Sequence, residues 1–194
     1  MKNLKRLGYV LLFLLVLFHD SPVDGKVYID IDSPSFQKFP IAVADFKPLR
    51  AGSEAGDLPV WFADTLGRDL FMTGYFSLID RKAFLEDPSQ AGITGETTRF
   101  TDWVTIGAEY LIKGGFQTDG RQFVTEFRLF DVVKGELVVG KKYFGTPDDK
   151  NRMVVQFANE VLLALTGEAG LFDTRIAFVR KNNATQDLYT INFD

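Results

Sequence analysis

Three strand-like segments follow one another in the second half of the chain and constrain its fold more than any other feature. They are residues 110–117, 121–132 and 137–144. The dipeptides Asp119-Gly120 and Lys134-Gly135 separate them, and such short turn sequences join antiparallel neighbours. We therefore predict an antiparallel group of three strands, whose apolar face has to be covered by other elements.

Two amphipathic helices are predicted on either side of these strands. The first begins near Leu58 and stops at Gly74. The second follows Asp148 or Asp149, either of which can cap it, and stops at Gly167. Apolar residues recur every three or four positions along both, so each helix has one face to bury.

Shorter elements fill the rest of the chain. Residues 41–46 and 76–79 are predicted as strands, the second of them buried, and residues 86–98 as a loop. Thr101 is predicted to cap a short helix over residues 102–106. The order of elements predicts an α/β (α+β) fold with a mixed β-sheet of about five strands, packed with two long helices and one short helix.

The N-terminus has the pattern of a targeting segment. Lys2, Lys5 and Arg6 precede the uncharged apolar residues 7–18. A basic start followed by a short apolar run is typical of a secretory signal peptide. We predict residues 1–25 as this signal, with cleavage after Gly25; an uncleaved N-terminal anchor is the alternative.

Composition excludes several kinds of site. The chain has no cysteine, and its single histidine is His19, within or beside the predicted signal. The remaining residues therefore lack the commonest general base, the usual zinc ligands and a thiol nucleophile. The formal net charge is −4, which argues against nucleic-acid binding. We expect a protein that is not an enzyme and that needs no cofactor, metal or small-molecule substrate.

Three patterns allow a chemical interpretation as well as a structural one. Asp30 and Asp32 are carboxylates on one side of a strand, a pair that metal sites and glycosidases use; a solvated strand face is the simpler interpretation. The glycine-containing loop at residues 52–56 precedes a helix but lacks the spacing of a phosphate-binding loop. Trp61 and Trp103 can stack ligands, although their spacing fits core positions.

The extended stretch directly after the predicted signal is the remaining candidate site. Val27, Ile29 and Ile31 alternate with Tyr28, Asp30 and Asp32, which predicts a strand with one apolar face. Such a strand either joins the sheet of its own domain or pairs with the sheet edge of a partner. We call residues 26–33 the N-terminal segment; its members are Lys26, Val27, Tyr28, Ile29, Asp30, Ile31, Asp32 and Ser33.

Several short stretches resemble, in the same order, the TolB family of Tol–Pal system proteins. Each stretch alone is weakly specific, whereas their joint order is distinctive and covers residues 26–179. The most specific part closes the series, from Glu160 to Val179. The stretches are residues 26–32, 40–43, 74–76, 79–81, 106–111, 127–131, 160–161, 165–167 and 174–179.

The resemblance implies a periplasmic, non-enzymatic protein with an N-terminal α/β domain followed by a six-bladed β-propeller. It implies that the N-terminal segment binds the C-terminal domain of TolA, and that the propeller binds the lipoprotein Pal and alters the availability of that segment. It also implies roles in outer-membrane integrity, cell division and colicin import. Another envelope accessory domain, lipoprotein-associated or secretion-related, is the alternative.

The same resemblance divides the chain. Residues 26–170 are expected to form the α/β domain, and residues 171–194 look like the start of a truncated propeller. One partial blade cannot bury its faces. We therefore expect the tail beyond Gly170 to be poorly packed, and we expect Pal binding only where a full propeller is present.

Overall fold

The computed structural model describes residues 37–50, 55–87, 91–119, 121–170, 172, 174–181 and 186–192. The described strands are β1 (Phe39–Val43), β2 (Lys47–Pro48), β3 (Phe76–Leu78), β4 (Tyr110–Thr118), β5 (Phe123–Asp131), β6 (Glu136–Gly145), β7 (Arg175–Lys181) and β8 (Gln186–Asn192). The described α-helices are α1 (Leu58–Met72), α2 (Phe100–Thr105) and α3 (Lys150–Thr166). The predicted signal peptide and the N-terminal segment lie outside these residues.

Six of the described strands form one mixed sheet, which confirms the predicted fold class. The order is β3-β1-β4-β5-β6, and β2 lies beside β4. β1 is parallel to β3 and to β4, whereas β4, β5 and β6 are antiparallel neighbours. The predicted hairpin at Asp119 is confirmed, because the Asp119 carboxylate accepts from the main-chain amides of Arg121 and Gln122. β5 starts at Phe123, two residues later than predicted.

The predicted strand over residues 41–46 is interrupted. β1 ends at Val43, and pairing with β4 resumes only at Lys47. Between them the Phe46 ring packs against Gly114, where an added Cβ atom would lie 2.2 Å from the ring. The prediction of one continuous strand was wrong. The alternation of apolar residues within one segment does not show that a large ring will occupy the space above a glycine on the neighbouring strand.

α1 and α3 cover one face of the sheet, which we call the inner face, and the main core lies between them and the strands. The Phe127 ring on β5 lies 5.0 Å from the Phe46 ring and 4.8 Å from the Phe157 ring of α3. The predicted face of β5 is confirmed, since four alternate residues are buried here: Phe123, Thr125, Phe127 and Leu129.

The opposite face, the outer face, carries a second and smaller apolar cluster. α2 contributes Trp103, whose ring lies 4.8 Å from that of Phe84. Leu111 of β4 and Phe130 of β5 pack in the same cluster. Farther along the strands, the outer face carries charged side chains.

The helix ends agree with the sequence better than the helix starts do. Gly74 and Gly167 have φ angles of +80° and +75°, a conformation that glycine adopts without strain, and both predicted stops are confirmed. The predicted cap at Thr101 was wrong: α2 begins at Phe100, two residues earlier than predicted, with Arg99 at the N-cap position and no side-chain cap. A threonine side chain can hydrogen-bond to several nearby main-chain groups, so the presence of a threonine does not by itself determine where a helix starts.

The start of α3 is held by a different contact from the predicted one. Asp149 occupies the N-cap position but makes no capping bond to the helix. Its carboxylate instead accepts from the main-chain amide and the hydroxyl of Thr146, at 2.8 and 2.9 Å. A short 3-10 turn, Pro147–Asp149, precedes the helix, and Asp149 closes that turn.

β3 and the tail are more exposed than core strands. The predicted burial of β3 holds for Phe76, which lies in the main core, but not for Leu78, which is 42% exposed. Among the described strands β3 pairs only with β1 and lies at the edge of the sheet. Within the described part of the chain, β7 and β8 pair with each other and with no further strand, and the side chains of β7 are exposed. Phe172 departs from the expected poor packing, because it is buried in the main core.

Candidate functional site

The N-terminal segment lies outside the described residues, and the first described element after it in the chain is β1, which begins at Phe39. The Lys38 ammonium lies 5.8 Å from the centre of the Phe71 ring in the last turn of α1. The Phe39 amide donates to the Tyr75 carbonyl at 2.9 Å. The Phe39 and Tyr110 rings meet edge to face at 5.8 Å. Three contacts therefore hold the start of β1.

The residues that allowed a chemical interpretation come together nowhere in the described structure. Asp30 and Asp32 lie outside the described residues, as do residues 52–54 of the glycine-containing loop. The described end of that loop is closed by the Leu58 amide, which donates to the Ala55 carbonyl at 2.9 Å. The loop residues that are described therefore continue directly into the first turn of α1.

Both tryptophans have packing roles. Trp103 is 2% exposed and belongs to the outer-face cluster. Trp61 packs against Phe62 with the ring centres 5.0 Å apart, and the Lys150 ammonium of α3 lies 4.4 Å from the centre of the Trp61 ring. A cation over an aromatic face is attractive. This contact therefore joins α1 to α3 and places the Lys150 ammonium over one face of the Trp61 ring.

A charged network on the outer face was missed by the sequence analysis. Lys113 lies in the centre of β4, and its side chain is 2% exposed. Its ammonium donates to the Glu86 carboxylate at 2.7 Å and to the Thr98 hydroxyl at 3.2 Å. Burial lowers the pKa of Lys113, and the hydrogen bond and charge of Glu86 oppose that shift. A single lysine inside an apolar strand was the signal available for this network.

Two further cations hold the same loop against the sheet. The Lys47 ammonium donates to the Ala91 carbonyl. Burial lowers the pKa of Lys47, and the charges of Glu86 and Asp87 oppose this shift. The Arg128 guanidinium donates to the Ile93 carbonyl at 3.3 Å. The loop over residues 86–98 is thus anchored from β2, β4 and β5 in its described parts.

A groove of about 480 Å³ lies beside this network. Its lining includes three aromatic side chains, those of Phe46, Phe84 and Trp103, and the guanidinium of Arg81. The Arg81 guanidinium is engaged by the carboxylates of two acidic residues, Asp45 at 3.1 Å and Asp64 at 2.7 Å. The charged groups around the groove are therefore mostly paired with one another, which suits a structural role better than acid–base chemistry.

Metal-ligating groups and helices able to span a membrane are both absent from the described ranges. Within them, no three His, Cys, Asp or Glu side chains form a group that could hold a metal ion. None of the helices in the described part of the chain combines the length and apolarity needed to cross a bilayer.

Comparison with known proteins gives a consistent family. The family model described as "TolB amino-terminal domain" matches residues 27–138. The Tol-Pal system protein TolB of Syntrophus aciditrophicus is 46% identical over 192 residues, which are 96% of this chain and 42% of that protein. The protein of the same name from Desulfosudis oleivorans is 40% identical over 167 residues, 86% of this chain and 38% of that protein. The chain thus spans less than half the length of these relatives.

A solved structure agrees at the level of the fold. The crystal structure of TolB from Acinetobacter baumannii superposes with a TM-score of 0.62 at 22% sequence identity, covering 81% of this chain and 37% of that one. At this identity the likeness supports the architecture alone. The family model covers more than half of the chain, including the predicted N-terminal segment from Val27 onward, and the chain therefore belongs to the TolB amino-terminal domain family of Tol–Pal system proteins.

Proposed function

We propose that this chain is a non-enzymatic protein–protein interaction domain of the Tol–Pal system, which binds the C-terminal domain of TolA through its N-terminal segment. The observation that carries the proposal is the family match, which begins at Val27 and so includes the alternating stretch. The predicted signal ends two residues earlier. The segment would therefore stand at or near the start of the exported chain.

Strand addition explains how such a short segment can recognise a partner. Main-chain amides and carbonyls pair with the exposed edge of the partner's sheet, and side chains on alternate positions fill its pockets. In this segment Val27, Ile29 and Ile31 would form the apolar side, and Asp30 and Asp32 the polar side. The apolar side is the better candidate for the contact face, since burial of aliphatic side chains contributes most to the association free energy.

The wider role follows from the system to which the relatives belong. We propose a periplasmic location, with export through cleavage of residues 1–25, and a contribution to outer-membrane integrity, cell division and colicin import. Pal binding is proposed only for a chain that carries a full propeller. Mass spectrometry of the exported chain tests the location, and a mature N-terminus near Lys26 is the expected result.

Calorimetric titration of the exported chain with the purified TolA C-terminal domain tests the binding segment. Deletion of residues 26–33 should abolish the binding heat while circular dichroism of the domain stays unchanged. Serine at Val27, Ile29 and Ile31 should weaken binding by at least about 100-fold, from the lost burial of three aliphatic side chains. Unchanged affinity after the deletion would refute the proposal.

A matched variant tests whether recognition is specific to one face. Serine at Tyr28, Asp30 and Asp32 alters the same number of residues on the other side of the strand. We expect a loss of less than about tenfold, because these side chains would face solvent. Equal losses in the two triple variants would contradict pairing through one apolar face.

A further inference from the structure

The groove beside the Lys113 network has the size and the lining of a small-molecule site. Its volume of about 480 Å³ lies within the range of ligand pockets in proteins. Aromatic side chains form part of its wall, and the rings of Phe84 and Trp103 meet there edge to face with their centres 4.8 Å apart. A ligand that contains a ring can therefore pack against this wall.

Positive groups outnumber negative groups among the described residues that line the groove. The cations are Lys47, Arg81 and Lys113, and the acidic residues are Asp45 and Glu86. Three positive and two negative groups give the lining a formal charge of +1, whereas the whole chain carries −4. The groove thus favours an anion, although most of the chain's charge would repel one.

Lys113 has a hydrogen-bond donor to spare. An ammonium group carries three N–H donors. Among the described residues, Lys113 donates to two acceptors, the Glu86 carboxylate at 2.7 Å and the Thr98 hydroxyl at 3.2 Å. Its side chain lines the groove and is only 2% exposed. An acceptor oxygen of a ligand in the groove would complete its hydrogen bonds, which buried polar groups require.

The two lysines of the groove share one carboxylate. Burial lowers the pKa of Lys47 and of Lys113, and the charge of Glu86 opposes the shift at both. The charge of Lys47 also lowers the pKa of Lys113, since the two ammonium groups repel each other. A second carboxylate between them would oppose the effects of burial and repulsion, so a bound anion would be stabilised here.

We propose that this groove binds a small aromatic carboxylate, whose ring packs against Phe84 and Trp103 and whose oxygens accept from Lys47 and Lys113. Arg81 contributes less, because two carboxylates already engage its guanidinium. The ligand is bound and not chemically changed. The inference goes beyond the proposed function and does not depend on TolA binding, because it uses no residue of the N-terminal segment.

Titration of the purified chain with naphthaleneacetate, followed by NMR, tests the site. The chain has two tryptophans, and their indole N–H signals provide a comparison within one spectrum. Trp103 lines the groove, whereas Trp61 packs beneath the Lys150 ammonium. The Trp103 signal should shift and reach saturation, and the Trp61 signal should stay in place. Absence of a saturable shift at Trp103 would overturn the proposal.

A neutral analogue tests the role of the charge. Naphthaleneacetamide has the same ring and no carboxylate, so it loses the charge-assisted hydrogen bonds from the two ammonium groups. We expect it to bind at least about tenfold more weakly than naphthaleneacetate. Equal affinities would contradict the carboxylate as the recognised group.

Lysine variants test which cations recognise the carboxylate, with the preference for the acid over the amide as the measured quantity. Lys47→Gln should reduce this preference to less than about threefold, because one of the two ammonium groups is lost. Lys142→Gln changes an exposed lysine that is not part of the groove lining, and it should keep the native preference. A full preference in Lys47→Gln, or equal reductions in the two variants, would refute the assignment.

The donor of Lys113 is tested without a change in the charge of the lining. Lys113→Met/Glu86→Leu removes one positive and one negative group, so the formal charge of the lining stays at +1. We expect the preference for the acid to fall by at least about threefold, since the spare donor is gone. A preference equal to that of the native chain would show that Lys113 does not contact the ligand, which would overturn the proposed geometry.

Discussion

The inner and outer faces of the sheet are held by different interactions. On the inner face, aromatic rings pack directly on one another, as where Phe46 and Phe62 stack with their centres 5.0 Å apart. On the outer face, Lys113 is as buried as a core leucine but depends on the Glu86 carboxylate 2.7 Å away. Apolar burial needs no specific partner, whereas a buried charge does. The inner face should therefore tolerate repacking, and the outer face should not tolerate loss of one partner.

The largest expected effect on stability comes from the removal of a ring from the inner face. Phe127→Ala deletes a fully buried ring that contacts the rings of Phe46, Phe62, Tyr143 and Phe157. We expect the free energy of unfolding in urea to fall by about 3–5 kcal/mol, from lost burial and the cavity left behind. Phe144→Ala, at a ring that is 68% exposed, is the control and should cost about 0.5 kcal/mol or less. Similar losses in the free energy of unfolding for Phe127→Ala and Phe144→Ala would contradict the assignment of the main core.

This inner face is the part of the fold that the sequence predicts well. Its residues repeat with a period of two along β5 and with helical spacing along α1 and α3, and apolar periodicity reports which face is buried. The interruption at Phe46 was missed because it depends on Gly114, a residue on another strand. Pairing between distant residues leaves no periodic trace in a single sequence.

The next effect tests the outer face. Lys113→Met leaves the Glu86 carboxylate, only 11% exposed, without its ammonium partner. We expect a loss of about 3 kcal/mol in the free energy of unfolding, and recovery of most of it in Lys113→Met/Glu86→Leu, where neither charge remains. The double variant is compared with Lys113→Met and Glu86→Leu measured separately. If its loss in the free energy of unfolding equals the sum of the two separate losses, the two charges do not stabilise each other and the pair does not hold the loop.

A solvent-exposed ion pair is the control for Lys113. Lys142 lies 2.9 Å from Glu126, but its side chain is 51% exposed. Lys142→Met should cost less than about 1 kcal/mol, because water screens the pair. Losses of equal size at Lys113 and Lys142 would remove the distinction between buried and exposed charge on this face.

The outer-face site could not have been predicted in full. A lysine between apolar neighbours on β4 is visible in the sequence, and its burial could have been inferred. Its partner Glu86 is 27 residues away in a loop whose path is set by tertiary packing, so no spacing rule joins the two.

The smallest effect is a pH dependence at the start of α3. Hydrogen bonds from Thr146, with a contribution from Arg152, lower the pKa of Asp149 from 3.8 to about 2. A carboxylate with a lowered pKa in the folded state stabilises the fold above pH 3.8, and this contribution is lost as the pH falls towards 2. The difference in melting temperature between the native chain and Asp149→Asn should therefore shrink over that interval. A difference that stays constant over this interval would contradict the contribution of Asp149.

The N-terminal segment contrasts with both faces, since its proposed pairing uses main-chain amides and carbonyls as well as side chains. A peptide of residues 26–33 allows this to be measured directly. In a strand added to a sheet edge, the amides of alternate residues point to the partner and the others point away. N-methylation removes an amide donor, so methylation of one alternate set should disrupt pairing more than methylation of the other.

Titration of the TolA C-terminal domain with three such peptides is the most direct test: the unmodified peptide, one methylated at Val27, Ile29 and Ile31, and one methylated at Tyr28, Asp30 and Asp32. We predict that the unmodified peptide binds, that one methylated peptide loses affinity by more than about tenfold, and that the other retains most of it. Equal affinity of all three peptides, or no binding by the unmodified one, would contradict recognition by strand addition.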